Sequence, residues 1–561
     1  MIKRLLIVIL PVFINVALQA QNLEGINKQK PVTLSGGITA RAIFYDANGI
    51  TNRRQPFSYI FTGSPTISIF NSFTIPLSFT YSEQDRSFRQ PFKQVGMSPY
   101  YKWITIHAGY RNINYSQFTL AGHTILGAGV ELHPGIFRFG FISGRFNRAT
   151  PVDTSVKSFQ PFTYSNHGSA GKIGIGKGAD FFEVSMLKAK DDSSSVHPLN
   201  EFKGTVTPAE NIVIGINGQV KFLKDFTFAI EAATSVYTRN LNNKTALSDS
   251  ANKGFTKILG SFISTNSTTE RYNAIQTSLG YHQKIFSARL QYRRVDPDYK
   301  TMGAYFFNSD IENITFAPSL NLLKNKLRFG GSIGYQHDNL KKQKQSTSSR
   351  VIGSANLTTD FNDHFGIDFS YSNYSNTQIR KTILLGNTFR IAQVSENYSF
   401  TPRYILASEK YVHSVIFSAN YNVFSSVDKT IDNLSDTKSK NYFLNYQVTL
   451  VPKNLTYTFN LNYMDVKSAS YEDGNYGVTL GINKVMNNSK LTAGWLGSFL
   501  KGLHGKSTGL ILNQNVSVNY RINKHHSFGT TVSYINNKSQ QTLVTPSYSE
   551  WQADLNYRYV F

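Results

Sequence analysis

The chain has 561 residues, no cysteine, and a formal charge of +24 from 58 Lys plus Arg against 34 Asp plus Glu. Only 16% of residues are charged while 14% are aromatic: too little charge to cover several soluble domains, and too many rings for a disordered chain. The missing cysteines exclude a disulfide scaffold, and a mean hydropathy of −0.28 is too polar for a bundle of membrane helices.

The N-terminus, MIKRLLIVILPVFINVALQAQ, reads as an export signal over residues 1–20. Lys3 and Arg4 form its positive head, residues 5–18 its apolar run, and Ala20-Gln21 its cleavage point, with a large Leu18 three places before the cut. An uncleaved membrane anchor is the rival reading, but the run of about 14 residues falls short of the roughly 20 that a helix needs to span hydrocarbon. Cleavage removes the two positive charges of the head. No later segment is long and apolar enough to span as a helix, so a membrane-embedded chain has to cross as strands.

After a short segment, 21–31, the first strand begins near Val32, where Leu34, Gly36, Ile38 and Ala40 alternate with Thr33, Ser35, Thr39 and Arg41. The same period of two recurs in hairpins with tight turns. Ile212, Ile214, Ile216, Val220 and Phe222 alternate with Gly215, Asn217, Gln219 and Lys221, and the turn Leu223-Lys224-Asp225 leads to Phe226, Phe228 and Ile230. Tyr442, Leu444, Tyr446, Val448 and Leu450 repeat the pattern before Pro452-Lys453-Asn454 and Leu455, Tyr457, Phe459, Leu461 and Tyr463. Short turns fall near residues 70–72, 101–103, 133–135, 177–180, 223–225, 282–284, 324–326, 362–364, 408–410, 452–454, 486–489 and 523–526. Longer polar stretches, such as 147–169, 190–211 and 238–272, separate the hairpins. Pro65 and Pro76 each remove a ladder donor, but they face each other across the turn at 70–72, where a local bulge absorbs both.

In the last segment, WQADLNYRYVF, Trp551, Ala553, Leu555, Tyr557, Tyr559 and Phe561 occupy one face and Gln552, Asp554, Asn556 and Arg558 the other. Twelve short turns make twelve hairpins, and a strand before the first and another after the last give about 26 strands (24–28) over residues 32–561, at about 21 residues per strand and connection. This is an all-β fold: one closed antiparallel transmembrane β-barrel with an apolar outer face, short periplasmic turns, long extracellular loops and both termini periplasmic.

Alternation over the final eleven residues, a terminal Phe561 and an export signal together resemble the outer-membrane β-barrels of Gram-negative bacteria. The resemblance implies that Trp551, Tyr557, Tyr559 and Phe561 form a sorting signal read by the barrel assembly machinery. The Ala20-Gln21 junction, the Tyr- and Asn-rich strands and the absence of cysteine look like the large, plug-free barrels of Bacteroidota-type bacteria. A TonB-dependent transporter carries a plug domain of well over a hundred residues before its first strand, and residues 21–31 leave no room for one.

A round barrel of this size is about 50 Å across, so its lumen needs occlusion by infolded loops or a partner, and the three longest loops are the candidates. With the apolar phase outward, Arg41, Arg138, Lys172, Lys221, Arg289, Arg293, Arg328, Arg521 and Arg558 become pore-lining candidates, against Glu131, Glu183, Glu231, Asp368 and Asp554. Such a surplus favours anions unless the bases pair with the acids. Tyr and Phe at strand ends read as interfacial girdles, and less readily as platforms for stacking sugars.

Catalytic and cofactor chemistry finds no support. The twelve His show no HExxH or helical i, i+4 spacing, and Gly174 and Gly176 lie in a strand, not before a helix. Asp296, Asp298, Asp310 and Glu312 offer carboxylates suited to Ca²⁺ without EF-hand order, and read as solvated turn residues. The aromatics of the same loop, Tyr299, Tyr305, Phe306 and Phe307, predict that it packs into the barrel mouth. The expected role is a loop-gated, porin-like channel or transporter for solutes or polymers. A barrel subunit of an outer-membrane assembly, secretion or motility complex, occluded by periplasmic or surface partners, is the second reading, and a surface adhesin the third. Outer-membrane lipid and lipopolysaccharide are expected neighbours, and nucleic acid is excluded by location.

Overall fold

The computed structural model describes residues 30–561 apart from 84–91, 152–161, 197–203, 250–252, 345–346, 348, 374, 379–382, 385–386, 389–390, 427–435, 469–470, 505–506 and 540–545. The export signal expected over residues 1–20 and most of the segment 21–31 therefore lie outside the described residues. What is described is a closed, antiparallel barrel of 26 strands with almost no helix. The ring closes where Gly37–Asn48 pairs with Tyr548–Val560, from Gly37↔Val560 to Asn48↔Ser549.

Successive strands pair in sequence order, each with the next, so the turns set the register. All twelve expected short turns separate described strands. Several place consecutive residues at positive φ, among them Phe70 and Asn71, Leu223 and Lys224, and Asn487, Asn488 and Ser489. Tight hairpins need this backbone because its twist matches that of the flanking strands. Lys102, at φ 50°, turns Tyr100–Tyr101 into Ile104–Asn114 at the short turn expected over 101–103.

The prolines fall where the ladder is broken. Phe57–Gly63 and Thr66–Ile69 are separated by Ser64-Pro65, and opposite them Gly36 stands at φ +97° between Val32–Ser35 and Gly37–Asn48. A Cβ on Gly36 would sit 2.2 Å from the Ser64 carbonyl oxygen. The bulge expected around Pro65 and Pro76 is thus carried by a glycine on the neighbouring strand, and Pro65 still accepts from the Leu77 N–H at 2.9 Å.

One phase of each strand carries exposed apolar side chains, as in Phe137, Phe139 and Phe141, which are 61, 38 and 44% exposed. The opposite phase carries the polar and buried residues, here Arg138, Gly140 and Ile142, and faces the lumen of the closed ring. Aromatics on the outward face form runs across strands, such as Tyr371, Tyr398 and Tyr421, whose ring centroids follow at 4.9 and 6.1 Å.

Candidate functional site

The lumen is filled on one side by the protein's own chain. The hairpin 104–132 belongs to the wall only in its lower part. Ile104–Asn114 meets its preceding neighbour at Gly96↔Gly109 and Met97↔Ala108, and Ala121–Leu132 meets Phe137–Asn147 no higher than Leu126↔Arg145. Beyond these points, residues 110–125 pair only with each other.

A row of glycines marks the departure: Gly96 pairs with Gly109, Gly109 with Gly127, Gly127 with Gly144, and Gly144 with Gly168. A Cβ on Gly109, itself at φ +81°, would lie 2.3 Å from the Val95 carbonyl oxygen, and one on Gly127 2.0 Å from that of Ser143. Five adjacent strands approach more closely than any side chain allows, and there the sheet bends inward.

The bent tip buries Ile113, Tyr115, Phe118, Leu120 and Ile125 against inward residues of the facing wall, including Ile142, Phe146, Leu187, Val213 and Val295. The outer loop 296–310 closes over it with Tyr299, Met302 and Phe307. Each fully buried large apolar side chain stabilises this cluster by about 1.5–3 kcal/mol. Backbone groups of the two segments are satisfied by each other. Tyr299 Oη donates to Phe118 O at 2.6 Å, Thr301 Oγ1 to Thr119 O at 2.8 Å, and the Ala121 N–H to Gly303 O at 2.9 Å. Gly303 is required by proximity, since a Cβ there would lie 2.4 Å from Leu187 Cδ1 and 2.5 Å from Thr119 O.

Anchors to the wall are polar. The Gln117 backbone N–H and side-chain amide both donate to the Glu231 carboxylate, the amide at 2.8 Å. The Met302 N–H donates to Asn211 Oδ1 at 3.0 Å, and Ser235 Oγ donates to Lys300 O at 2.7 Å. Burial, reinforced by the negative charge of Glu231, pushes the Tyr299 phenol far above its ordinary pKa, so it remains a donor.

The three longest loops, expected to form the constriction, do other things. Loop 239–268 lays the helix Phe255–Gly260 on the outward face, where Leu259 and Ile263 cover Ile212 and Val236. The described parts of the other two rim a cavity of about 520 Å³ at the long-loop end, contributing Asn147, Thr163, Tyr164, Val206 and Thr207, with Tyr299, Tyr305, Phe306 and Phe307 opposite. Among the described residues, the chain that enters the lumen is the six-residue connection 115–120 together with loop 296–310, whose apolar side chains are buried there. In loop 296–310 the expected inward packing holds for Tyr299 and Phe307, whereas Tyr305 and Phe306 stay 50 and 71% exposed.

The register places all nine pore-lining candidates on the inward phase. Arg41 makes a bidentate pair with Asp554, Arg138 pairs with Glu183, and Arg328 lies 3.2 Å from Asp360. Lys172 Nζ stands 3.6 Å from Glu183, 3.8 Å from Glu131 and over the Tyr115 ring. Arg293 is roofed by Phe118, with the ring centroid 5.8 Å from its guanidinium carbon. Arg403, which was not among the candidates, pairs with both Asp360 and Asp368. Lys221, Arg289, Arg521 and Arg558 remain exposed near the short-turn rim. Four of the nine candidates, Arg41, Arg138, Lys172 and Arg328, are thus met by carboxylates, and the inward positive surplus stays at the short-turn rim.

Two of the carboxylates weighed for Ca²⁺ are not the solvated turn residues expected, since Asp296 and Asp310 are each 8% exposed, and Arg294 lies 3.8 Å from Asp296 and 3.2 Å from Glu312. Asp296 accepts from the Asn273 backbone and amide at 2.9 and 3.2 Å, Asp310 accepts from the Leu340 N–H and pairs with Lys344, and Glu312 faces Arg294 and His337. Among the described residues no three His, Asp or Glu side chains are placed to hold a metal ion. Trp551, Tyr557, Tyr559 and Phe561 follow the outward phase of the closing strand, with Trp551 and Tyr557 exposed.

The wall across the lumen is of another kind. On the seven strands from Tyr411–Ser426 to His526–Ser539, the inward phase carries only two charged residues, Asp473 and Arg521. Amides and hydroxyls replace them and bond from strand to strand. Asn462 donates to Thr479 at 3.0 Å, Thr479 and Ser498 share a bond of 2.8 Å, and Asn515 donates to Ser533 at 2.9 Å. No cross-strand ion pair of the filled side has a counterpart on this inward phase among the described residues.

No known family matches the chain, and no curated protein matches its sequence. Among solved structures it is similar to the ferric yersiniabactin uptake receptor FyuA from Yersinia pestis, at 11% identity over 95% of this chain and 81% of that one, with a TM-score of 0.42. The translocation pore of the P pilus usher, PapC, gives 11% identity, 94% and 99% coverage and a TM-score of 0.36. OccAB2 of Acinetobacter baumannii gives 6%, 63% and 92% and a TM-score of 0.32. The neighbours are outer-membrane β-barrels, and the likeness ends at that architecture.

Proposed function

We propose that the chain is an outer-membrane channel or transporter for polar solutes, narrowed by its own infolded hairpin and loop. The observation that carries this reading is the lumen. A closed ring with an apolar outside has one half of its interior packed by residues 110–125 and 296–310, and the other half lined by amides and hydroxyls. A closed barrel suits a bilayer because every wall N–H and C=O is paired without an edge. On this reading the short-turn rim and both termini are periplasmic, the long loops face outward among lipopolysaccharide, residues 1–20 direct export, and residues 21–31 hold no plug. Trp551, Tyr557, Tyr559 and Phe561 are the signal for barrel assembly. The role is not enzymatic, and the ring architecture is shared with the large barrels of Bacteroidota.

Planar-bilayer recording of the purified protein tests the proposal. Stepwise conductance with a preference for anions is expected, because Lys221, Arg289, Arg521 and Arg558 stay exposed on the inward phase. Arg289→Glu, at an exposed position, shifts that preference toward cations. A silent protein that co-purifies with stoichiometric partners would replace the channel by a subunit of an assembly or secretion complex.

A further inference from the structure

We propose that the cavity at the long-loop end is a capture site for a neutral oligosaccharide. Its walls alternate ring faces with hydrogen-bonding groups, the mixture that a sugar presents in complement, with C–H faces for the rings and hydroxyls at its edges. Tyr305 is held as a platform: one face stacks on His123 at 4.1 Å between centroids, its Oη accepts from the Thr124 N–H at 3.2 Å, and half its surface stays exposed. Phe306 beside it is 71% exposed without a partner ring among the described contacts. Exposing two adjacent rings is costly in water and calls for an occupant.

Charge in the cavity is balanced. Asp191 and Asp298 line it together with Arg239 and Lys300, which favours neither an anion nor a cation. Two amides then point to a donor. Asn147 and Asn166 line the cavity, Asn166 is 2% exposed, and the Oδ1 of each lacks a hydrogen-bond partner among the described residues. A buried carbonyl oxygen left unpaired carries a penalty that an entering hydroxyl, met by a small turn of the amide, removes. The wall of amides and hydroxyls across the lumen repeats the same chemistry. Asn441, Asn445, Asn460, Asn462, Asn513 and Asn515 all sit on its inward phase and offer amides to a hydroxylated chain. Capture stands on the cavity alone, while passage of the sugar rests on the channel reading.

The test is isothermal titration of the purified barrel in a detergent without a sugar headgroup. The probes are maltohexaose, cellohexaose, hexagalacturonate and an uncharged hexapeptide. A neutral hexasaccharide should bind at least tenfold more tightly than hexagalacturonate or the peptide. Tyr305→Ala and Phe306→Ala, both at exposed positions, should each weaken that binding about tenfold, with the heat resistance of the barrel intact. Absence of binding by either neutral sugar, equal or tighter binding of the uronate or peptide, or variants that bind like the parent would each overturn the proposal. Binding by a barrel that passes no current would leave capture standing and remove the channel.

Discussion

Deleting residues 551–561 abolishes the barrel. The strand they complete, Tyr548–Val560, carries twelve register pairs to Gly37–Asn48 and another twelve to His526–Ser539. Its loss exposes two edges, and every unpaired N–H and C=O on an edge inside a bilayer costs several kcal/mol. Two fastenings go with the ladder: the bidentate pair of Asp554 with Arg41, and the Phe561 N–H donated to Gly36 O at 3.1 Å. The expected result is no heat-resistant species in the membrane fraction, judged by gel mobility with and without boiling. Phe561→Ala keeps both ladders, so a defect of that variant in membrane insertion alone, with the purified protein still refolding in detergent, isolates the sorting signal. A truncated chain that inserts and migrates like the parent would refute closure by this strand.

Much of the wall was legible because its determinants are local. Period-two alternation sets the faces, turn residues set the hairpins, and twelve turns fix 26 strands without any long-range information. Even the tight turn at Lys102 follows from turn chemistry. The interior was not legible for the opposite reason. Arg41 and Asp554 are 513 positions apart and become partners only when the ring closes, so counting inward bases overstates the free charge, four of the nine candidates being met by a carboxylate. The infolded hairpin escaped because its strands alternate like any others and its connection, 115–120, is among the shortest on that rim, while length drew attention to 147–169, 190–211 and 238–272. Its signature, one glycine per strand at Gly96, Gly109, Gly127, Gly144 and Gly168, emerges only once the register aligns them. In loop 296–310 the density of aromatics did carry the message, since two of four rings are packed inside.

Cutting the fastening between the two infolded segments should open the lumen and leave the wall standing. In the double variant Phe118→Ala, Tyr299→Ala, the cluster loses two buried rings at about 3–5 kcal/mol each, together with the Tyr299 bond to Phe118 O. Those losses fall on residues 110–125 and 296–310, whose packing is separate from the strand ladders. Residues 110–125 pair with no strand outside their own hairpin, so their release breaks no ladder bond of the wall and only side-chain anchors such as those at Glu231 and Ser185. Local opening is therefore favoured over unfolding. Single-channel conductance is expected to rise severalfold, with unchanged heat resistance of the barrel. The absence of native cysteine supplies a second readout. Thr119→Cys, at a position 1% exposed, should resist a polar thiol reagent in the otherwise native chain and react readily in the released one. Fast labelling in both backgrounds would mean that the tip already leaves the wall unaided. An unchanged conductance despite fast labelling of the released chain would place the narrowest point elsewhere in the lumen.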